Sequence, residues 1–307
     1  MPISLQDFAN LNPTPMMKGL VKVITNTSVF MRRMKFIPVN GFGYKYNREQ
    51  TLGGIAFRNL NTYYSPSGKD DSVINPEMET LSIFGGIVKT DRQLVNQSAG
   101  GPNDVRANKI AAKIHKASLF FDRNCILGDP AVTAGSFYGL ANRLTGSNLL
   151  VAGTNGAALT IDMAVQLQDQ VVGSNENKVL VMNKLARRKL SSLIRADARG
   201  MQFTEASGTQ AAKFNGSDIE VLDEDGDEQP ILTNTETTGS SNATYSIYCC
   251  NFGQDMDEQN VQGLVGSKMI EHVAYGERSG VYEDLIEGLM GLAVFHPRGA
   301  ARLSGLL

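Results

Sequence analysis

The chain has 307 residues, 42% hydrophobic and 20% charged, with 29 basic against 31 acidic side chains and a net charge of -2. That balance is ordinary for a folded protein of about two domains, and it excludes a nucleic-acid binder driven by overall positive charge. No window approaches the roughly 18 consecutive apolar residues of a membrane span, and the start MPISLQDFANLNP lacks the basic-then-apolar order of a signal peptide. The expectation is a protein folded in a cytoplasm, with Cys125, Cys249 and Cys250 as reduced core residues and no disulfide framework.

Residues 1–12 hold few apolar positions. Pro13 and Pro15 open a short helical stretch over 14–25, in which Met17, Leu20, Val21 and Ile24 share a face. Such an arm has little to pack on at home. Phe30 to Val39 reads as a connector ending in a strand. From Gly43 the pattern alternates: Tyr44 and Tyr46 with Lys45 and Asn47, then a Gly53-Gly54 turn, then Ile55 and Phe57 with Ala56 and Arg58, which predicts a two-stranded hairpin. Residues 61–76 follow with turn-forming Ser65-Pro66-Ser67-Gly68 and no core-forming period. Residues 41–76 are thus a projection with almost nothing to bury within the subunit. It is either a free surface loop or a segment covered by a neighbouring subunit, and an isolated hairpin is marginal in water unless something covers it.

Met78 to Val95 reads as a long strand that bends at Gly85-Gly86. The strongest periodic signal comes next. Over 103–126, Ala107, Ile110, Ala111, Ile114, Ala117, Ser118, Phe121 and Cys125 recur at steps of three and four, while Arg106, Lys109, Lys113, Lys116 and Arg123 form a basic stripe. Asn103 or Asp104 caps the start, and Gly128 with Pro130 supplies the stop. The helix spans roughly 35 Å at 1.5 Å per residue. It packs on the 78–95 strand with its small and apolar stripe, and its lysines face either water or a polyanion.

After a composition change at 145–157, Thr160 caps a helix carrying Ile161, Met163, Ala164, Leu167 and Val171. Lys178 to Met182 is a buried strand, and Asn183 caps a helix over 184–198. A sheet covered by helices follows from that order. Strands are expected at 219–222, 231–232, 245–251, within 261–280 and at 288–295. Asp223, Asp225, Asp227 and Glu228 around Gly226 make an acidic turn, or a calcium loop with incomplete ligand spacing. Histidines are scarce, with His115, His272 and His296 the full set, so a hydrolase using Cys249 or Cys250 with His272 stands as a remote alternative. Gly135 to Gly139 misses the hydrolase elbow spacing, Gly263 to Lys268 misses the phosphate loop, and no cofactor or metal signature appears.

Taken in order, these parts resemble the major capsid protein of tailed bacteriophages, the fold named for coliphage Hong Kong 97. The carrying stretches are Gly43-Tyr44-Lys45-Tyr46-Asn47-Arg48, the strand and long helix of 78–126, Phe137-Tyr138-Gly139-Leu140, and the ending Ile247-Tyr248 to Phe252-Gly253, Val261-Gln262-Gly263-Leu264, Gly291-Leu292-Ala293 to Pro297 and Ala301-Arg302-Leu303-Ser304-Gly305. The resemblance covers nearly the whole chain and implies an α+β fold with an N-terminal arm (1–35), an extended β-hairpin loop (41–76), a peripheral domain (36–40, 77–131 and 252–287) with spine helix 103–126, and an axial α/β domain (132–251 and 288–307). It implies a non-enzymatic shell protein that assembles through pentamers and hexamers in a bacterial cytoplasm, passes through a procapsid and encloses DNA in a virion. An encapsulin-type nanocompartment shell is the alternative with the same fold.

The implied inter-subunit residues are Tyr44, Tyr46, Arg48, Ile55, Phe57 and Arg58, and the implied lumen-facing residues are Arg106, Lys109, Lys113, Lys116 and Arg123. Implied partners are other copies of the chain, a portal, a decoration protein, non-specifically held DNA and a separate scaffolding protein, because the arm begins almost at Met1. Relatives that crosslink use a loop lysine. Lys45 and Lys69 are available, but the glutamate and asparagine that chemistry needs are not identified.

Overall fold

The computed structural model describes residues 28–51, 53–64, 73–98, 105–196, 213–222, 224, 229–253 and 260–307. The elements run α1 (Val29–Arg33), β1 (Phe36–Pro38), β2 (Gly43–Thr51), β3 (Val73–Thr80), β4 (Ser82–Asp91), α2 (Arg92–Ser98), α3 (Val105–Leu127), α4 (Leu140–Arg143), β5 (Leu149–Val151), α5 (Ile161–Gln170), β6 (Lys178–Met182), α6 (Lys184–Ala196), β7 (Lys213–Phe214), β8 (Ser217–Val221), β9 (Glu236–Thr238), β10 (Ser241–Asn251), β11 (Val261–Val265), β12 (Glu271–Arg278), β13 (Val281–Val294) and β14 (Ala300–Leu306). Most of the expected arm, the capping residues Asn103 and Asp104, and nearly all of the acidic turn lie outside the described residues.

Three sheets form. The first has the order β1-β11-β13-β12, with β4 pairing β13; the second runs β5-β14-β10-β6-β8-β7, with β9 on β10; β2 and β3 make a two-stranded ribbon. Strand alternation divides the apolar side chains of the second sheet. Val179 and Val181 of β6 and Tyr248 and Cys250 of β10 enter the larger core with α1, α3 and β13, whereas Leu180, Met182, Ile247 and Cys249 enter the core under α5 and α6. Helices therefore cover both faces. β13 runs unbroken from Val281 to Val294, with Val294 opposite Val261 in the first sheet. The domain boundary read at residue 288 falls inside this strand, and the chain crosses to the second sheet only after Phe295.

The long helix matches its periodicity: Ile110, Ile114, Ser118, Phe121, Asp122, Cys125 and Ile126 are buried along one stripe. That stripe faces α1, β13 and the inner face of the second sheet. β4 joins that core through Val88 and through Phe84, which stacks on Phe121, and the basic stripe also passes β4, with Lys113 beside Gly86 and Lys109 donating to the Lys89 carbonyl. A side chain at Gly85 would collide with the Ile286 carbonyl on β13, and one at Gly86 would sit 2.7 Å from Lys113 Cε. Gly86 thus permits close approach of β4 to the helix, and Gly85 close approach of β4 to the backbone of β13.

Residues 28–34, read as the end of an arm, are core. Phe30 is fully buried, its ring 6.0 Å from Phe252. The five-residue α1 is capped by Ser28, whose Oγ accepts from Met31 N at 3.1 Å. Asp122 of α3 reinforces the cap, accepting from the Ser28 hydroxyl, from Val29 N at 2.9 Å and from Phe30 N at 3.3 Å. From the other end of α1, Arg33 contacts Asp218 at 2.7 Å and Glu220 at 2.5 Å, and Arg32 contacts Glu220 at 2.6 Å. One turn of helix thus joins α3 to β8.

Burial pushes the Asp122 carboxyl up to about 7, against the hydrogen bonds from Ser28, Val29 and Phe30 that favour its charged form. A carboxyl raised above its unfolded value binds its proton more tightly in the folded state, so its contribution to stability is complete below about pH 4 and is lost as pH rises through about 7. Thermal unfolding of the unassembled subunit should show that loss between about pH 4 and 7, and Asp122→Asn should flatten it. An unchanged slope in the variant would remove Asp122 from this account.

Candidate functional site: the hairpin and the long helix

The projection from the first sheet is a ribbon in which β2 pairs antiparallel with β3, from Gly43 opposite Thr80 to Thr51 opposite Val73. This corrects the expected hairpin across Gly53-Gly54. The partner of Tyr44 is Glu79 and that of Tyr46 is Glu77, while Ile55 to Arg58 lie in no strand. Pro76 sits opposite Asn47, tolerated because a two-stranded ribbon has only edge strands and does not need every backbone N–H.

The root of the ribbon is fastened to its own subunit. Tyr44 and Tyr46 lie two residues apart on one face and pack edge-on against Phe295, with ring centroids 5.8 and 4.8 Å away. Arg48, two residues further, donates to the carbonyls of Phe295 at 3.0 Å and Val294 at 2.8 Å, and stacks on the Tyr46 ring. On β3, Glu79 is buried and takes both arms of the Arg143 guanidinium at 2.6 Å; Arg143 also donates to the Tyr138 and Leu292 carbonyls. Tyr44, Tyr46 and Arg48 are therefore anchors within the subunit.

The tip is the opposite case. Ile55 is 100% exposed, Phe57 106%, Tyr63 97% and Leu60 89%, while Arg58 donates to the nearby Thr62 carbonyl and lies over the Tyr64 ring. Each large apolar side chain left in water forgoes roughly 1.5–3 kcal/mol of burial, so the segment beyond the ribbon carries apolar surface that the subunit itself does not cover.

Along α3 the basic stripe divides. Arg106 is committed: its guanidinium makes paired contacts of 2.8 and 2.7 Å with Asp284 and stacks 4.7 Å from the Tyr282 ring. Those bonds, with His272 Nε2 at 2.9 Å, hold the Asp284 carboxyl below the usual carboxylate range. Lys109 is exposed and donates to the Lys89 carbonyl at 3.2 Å. Lys113 and Lys116 border a cavity of about 420 Å³ floored by Phe84, Phe120, Phe121 and Phe137. Arg123 is half-buried near the far end of the helix.

The Cys–His alternative is not assembled. Cys249 and Cys250 lie on β10 in the second sheet, fully buried, with burial pushing the Cys249 thiol up to about 12. His272 lies on β12 in the first sheet, bound to Asp284. Among the described residues no cluster of three or more His, Cys, Asp or Glu could hold a metal ion, and no helix is long and apolar enough to cross a membrane.

The Arg143–Glu79 pair was not legible in the sequence, because its members lie 64 residues apart. Removing one partner of such a largely buried pair leaves the other charge uncompensated. Glu79→Ala should lower subunit stability by roughly 3 kcal/mol in chemical denaturation. A change within about 0.5 kcal/mol, the level of an ordinary surface substitution, would mean that this pair does not brace the root.

No protein-family model and no curated protein matches the chain. Solved structures do. The holo-SrpI encapsulin complex from Synechococcus elongatus PCC 7942 is similar with a TM-score of 0.67 at 16% identity, covering 95% of this chain and 88% of the other. The capsid of a native GTA particle is similar with a TM-score of 0.67 at 15% identity, covering 92% and 91%. For Microbacterium phage Oxtober96 the values are 0.61, 10%, 90% and 90%. The fold is the Hong Kong 97-like capsid fold, matched over nearly the whole length.

Proposed function

We propose that this chain, with the Hong Kong 97-like fold as premise, is the major capsid protein of a tailed double-stranded DNA bacteriophage, which assembles through pentamers and hexamers into an icosahedral shell around the genome. The observation that carries a shell role is the hairpin. Its root is braced by Phe295 and Arg143, whereas its tip presents Ile55, Phe57, Leu60 and Tyr63 to water. A projection rigid at the base and apolar at the end fits a segment that is buried on a neighbouring copy. The remaining partners of the reading are a separate scaffolding protein, a portal and a decoration protein, with assembly in the host cytoplasm. In this reading the amines of Lys109, Lys113 and Lys116, beside β4 as they are, and the Arg123 guanidinium lie on the side of the subunit toward the enclosed DNA. A second reading, an encapsulin-type shell around protein cargo, is supported by the likeness to the SrpI complex.

Electron microscopy of the purified protein should show closed particles, and nuclease-protected DNA inside particles taken from infected cells separates the virus reading from the encapsulin one. A monomer under all conditions would count against both. Replacing Ile55, Phe57, Leu60 and Tyr63 together by Ser should leave a folded, soluble subunit that no longer closes shells; normal shells from that variant would overturn the role given to the tip. Reversing Lys109, Lys113 and Lys116 to Glu should reduce genome retention with little change in subunit melting. If melting falls sharply while retention holds, the stripe belongs to the subunit and not to DNA.

A further inference from the structure

The second sheet carries two helices whose outer faces hold charge of opposite sign. α5, capped by Thr160 through Met163 N at 3.2 Å, buries Ala164, Leu167 and Gln168. Its exposed line is Asp162, Gln166 and Asp169, and the sequence IDMAVQLQDQ contains no base. α6, capped by Asn183 through Ala186 N at 2.8 Å, buries Ala186, Leu190 and Ile194. It exposes Lys184, Arg187 and Arg188, and KLARRKLSSLIRA contains no acid. Both helices cover the same core, so both stripes point away from it.

Some surface charges of this subunit pair within it, as Lys89 does with Glu283, Arg92 with Glu277 and Arg32 with Glu220. Among the described residues the carboxylates of Asp162 and Asp169 and the guanidinium groups of Arg187 and Arg188 make no ion pair with one another or with anything else. The cations beside the end of α5 are taken up by its carbonyls: Arg298 donates to those of Asp169 and Gln170, and Lys178 to that of Gln168. On α6, Lys184 lies three and four residues before Arg187 and Arg188, a spacing at which like charges disfavour an isolated helix by a few tenths of a kcal/mol per pair.

We infer that the α5 carboxylates of one copy dock on the α6 guanidinium groups of a second copy, so that the two outer helix faces form a charge-complementary contact between subunits. This rests on the shell reading above and adds a surface to it. The spacing suits the pairing: seven residues separate Asp162 from Asp169, about 10 Å along the helix, within reach of two arginine side chains on the facing helix. A polyanion is a poorer occupant of the α6 face, because the neighbouring α5 presents two carboxylates that repel phosphate. A contact in which one surface of a subunit meets a different surface of the next also suits closed rings, and opposed charges of this kind set partner choice and association rate.

Three variants test it: Asp162→Lys with Asp169→Lys, Arg187→Glu with Arg188→Glu, and all four changes together. At about 0.1 M salt each double variant should need about a tenfold higher concentration to assemble than the unmodified chain, with its melting temperature unchanged, and the four-fold swap should recover normal assembly. An equimolar mixture of the two double variants should also assemble, since each supplies the charge the other lacks. The inference is overturned if both doubles assemble like the unmodified chain, if the four-fold swap stays defective while still folded, or if the arginine double assembles normally but loses bound nucleic acid. Milder Arg187→Gln with Arg188→Gln covers a reversal that fails to fold, and normal assembly of that variant likewise overturns the inference. Failure of the unmodified chain to assemble would sink the shell reading itself, a different result from normal shells built by every variant.

Discussion

Asp122 is a carboxylate taken entirely out of water, and the relation between the two large sheets depends on it. Isolated, such a group would be costly to bury. It is tolerated because the first turn of α1 supplies donors that would otherwise have no partner at a helix start. The arrangement is reciprocal: α1, at five residues, is too short to persist on its own. Its two arginines then reach Asp218 and Glu220 on β8, so a single helical turn fixes the long helix against the second sheet. Phe30 and Met31 fill the space between them.

The same chemistry sets what the projecting ribbon can do. Two-stranded ribbons are weak alone, yet this one is held at its root by aromatic contacts on one face and by a buried arginine–glutamate pair beside it. Direction is thereby specified near the body while the far end is left uncommitted. The polar and apolar halves of one loop divide the labour between intramolecular bracing and an outward surface.

Legibility followed the range of the interactions. α3 was readable because a 3.6-residue period is a local property and persists over 23 residues. The strands β10 and β11 were readable as short apolar runs between turns, while β14 was indicated only by the family resemblance of Ala301 to Gly305. The ribbon was misread because its ladder joins residues separated by the whole tip, while a nearby Gly-Gly supplied a stronger local turn signal than the true partner, a strand interrupted by Pro76. α1 was missed because VFMRR is too short to show a period. Arg106 was counted with the lysines of the basic stripe because its acid, Asp284, lies 178 residues away. For the candidate site, the exposed tip residues Ile55 and Phe57 were identifiable from composition. The anchoring role of Tyr44, Tyr46 and Arg48 was not, since nothing local reveals Phe295 as their partner.

β13 has a mechanical consequence. At about 3.3 Å per residue its 14 residues span roughly 46 Å. Near its start, Asp284 grips Arg106 close to the beginning of α3; at its end, Val294 and the adjoining Phe295 receive Tyr46 and Arg48 of the ribbon. A pull on the ribbon tip is therefore delivered along an already extended backbone, which stretches very little, and arrives at the helix through a two-pronged ionic joint. The hydrogen bonds to β4 and β12 lie across that direction and share the load in shear. The ribbon root and the ionic joint to the longest helix are thus fastened toward opposite ends of one continuous strand.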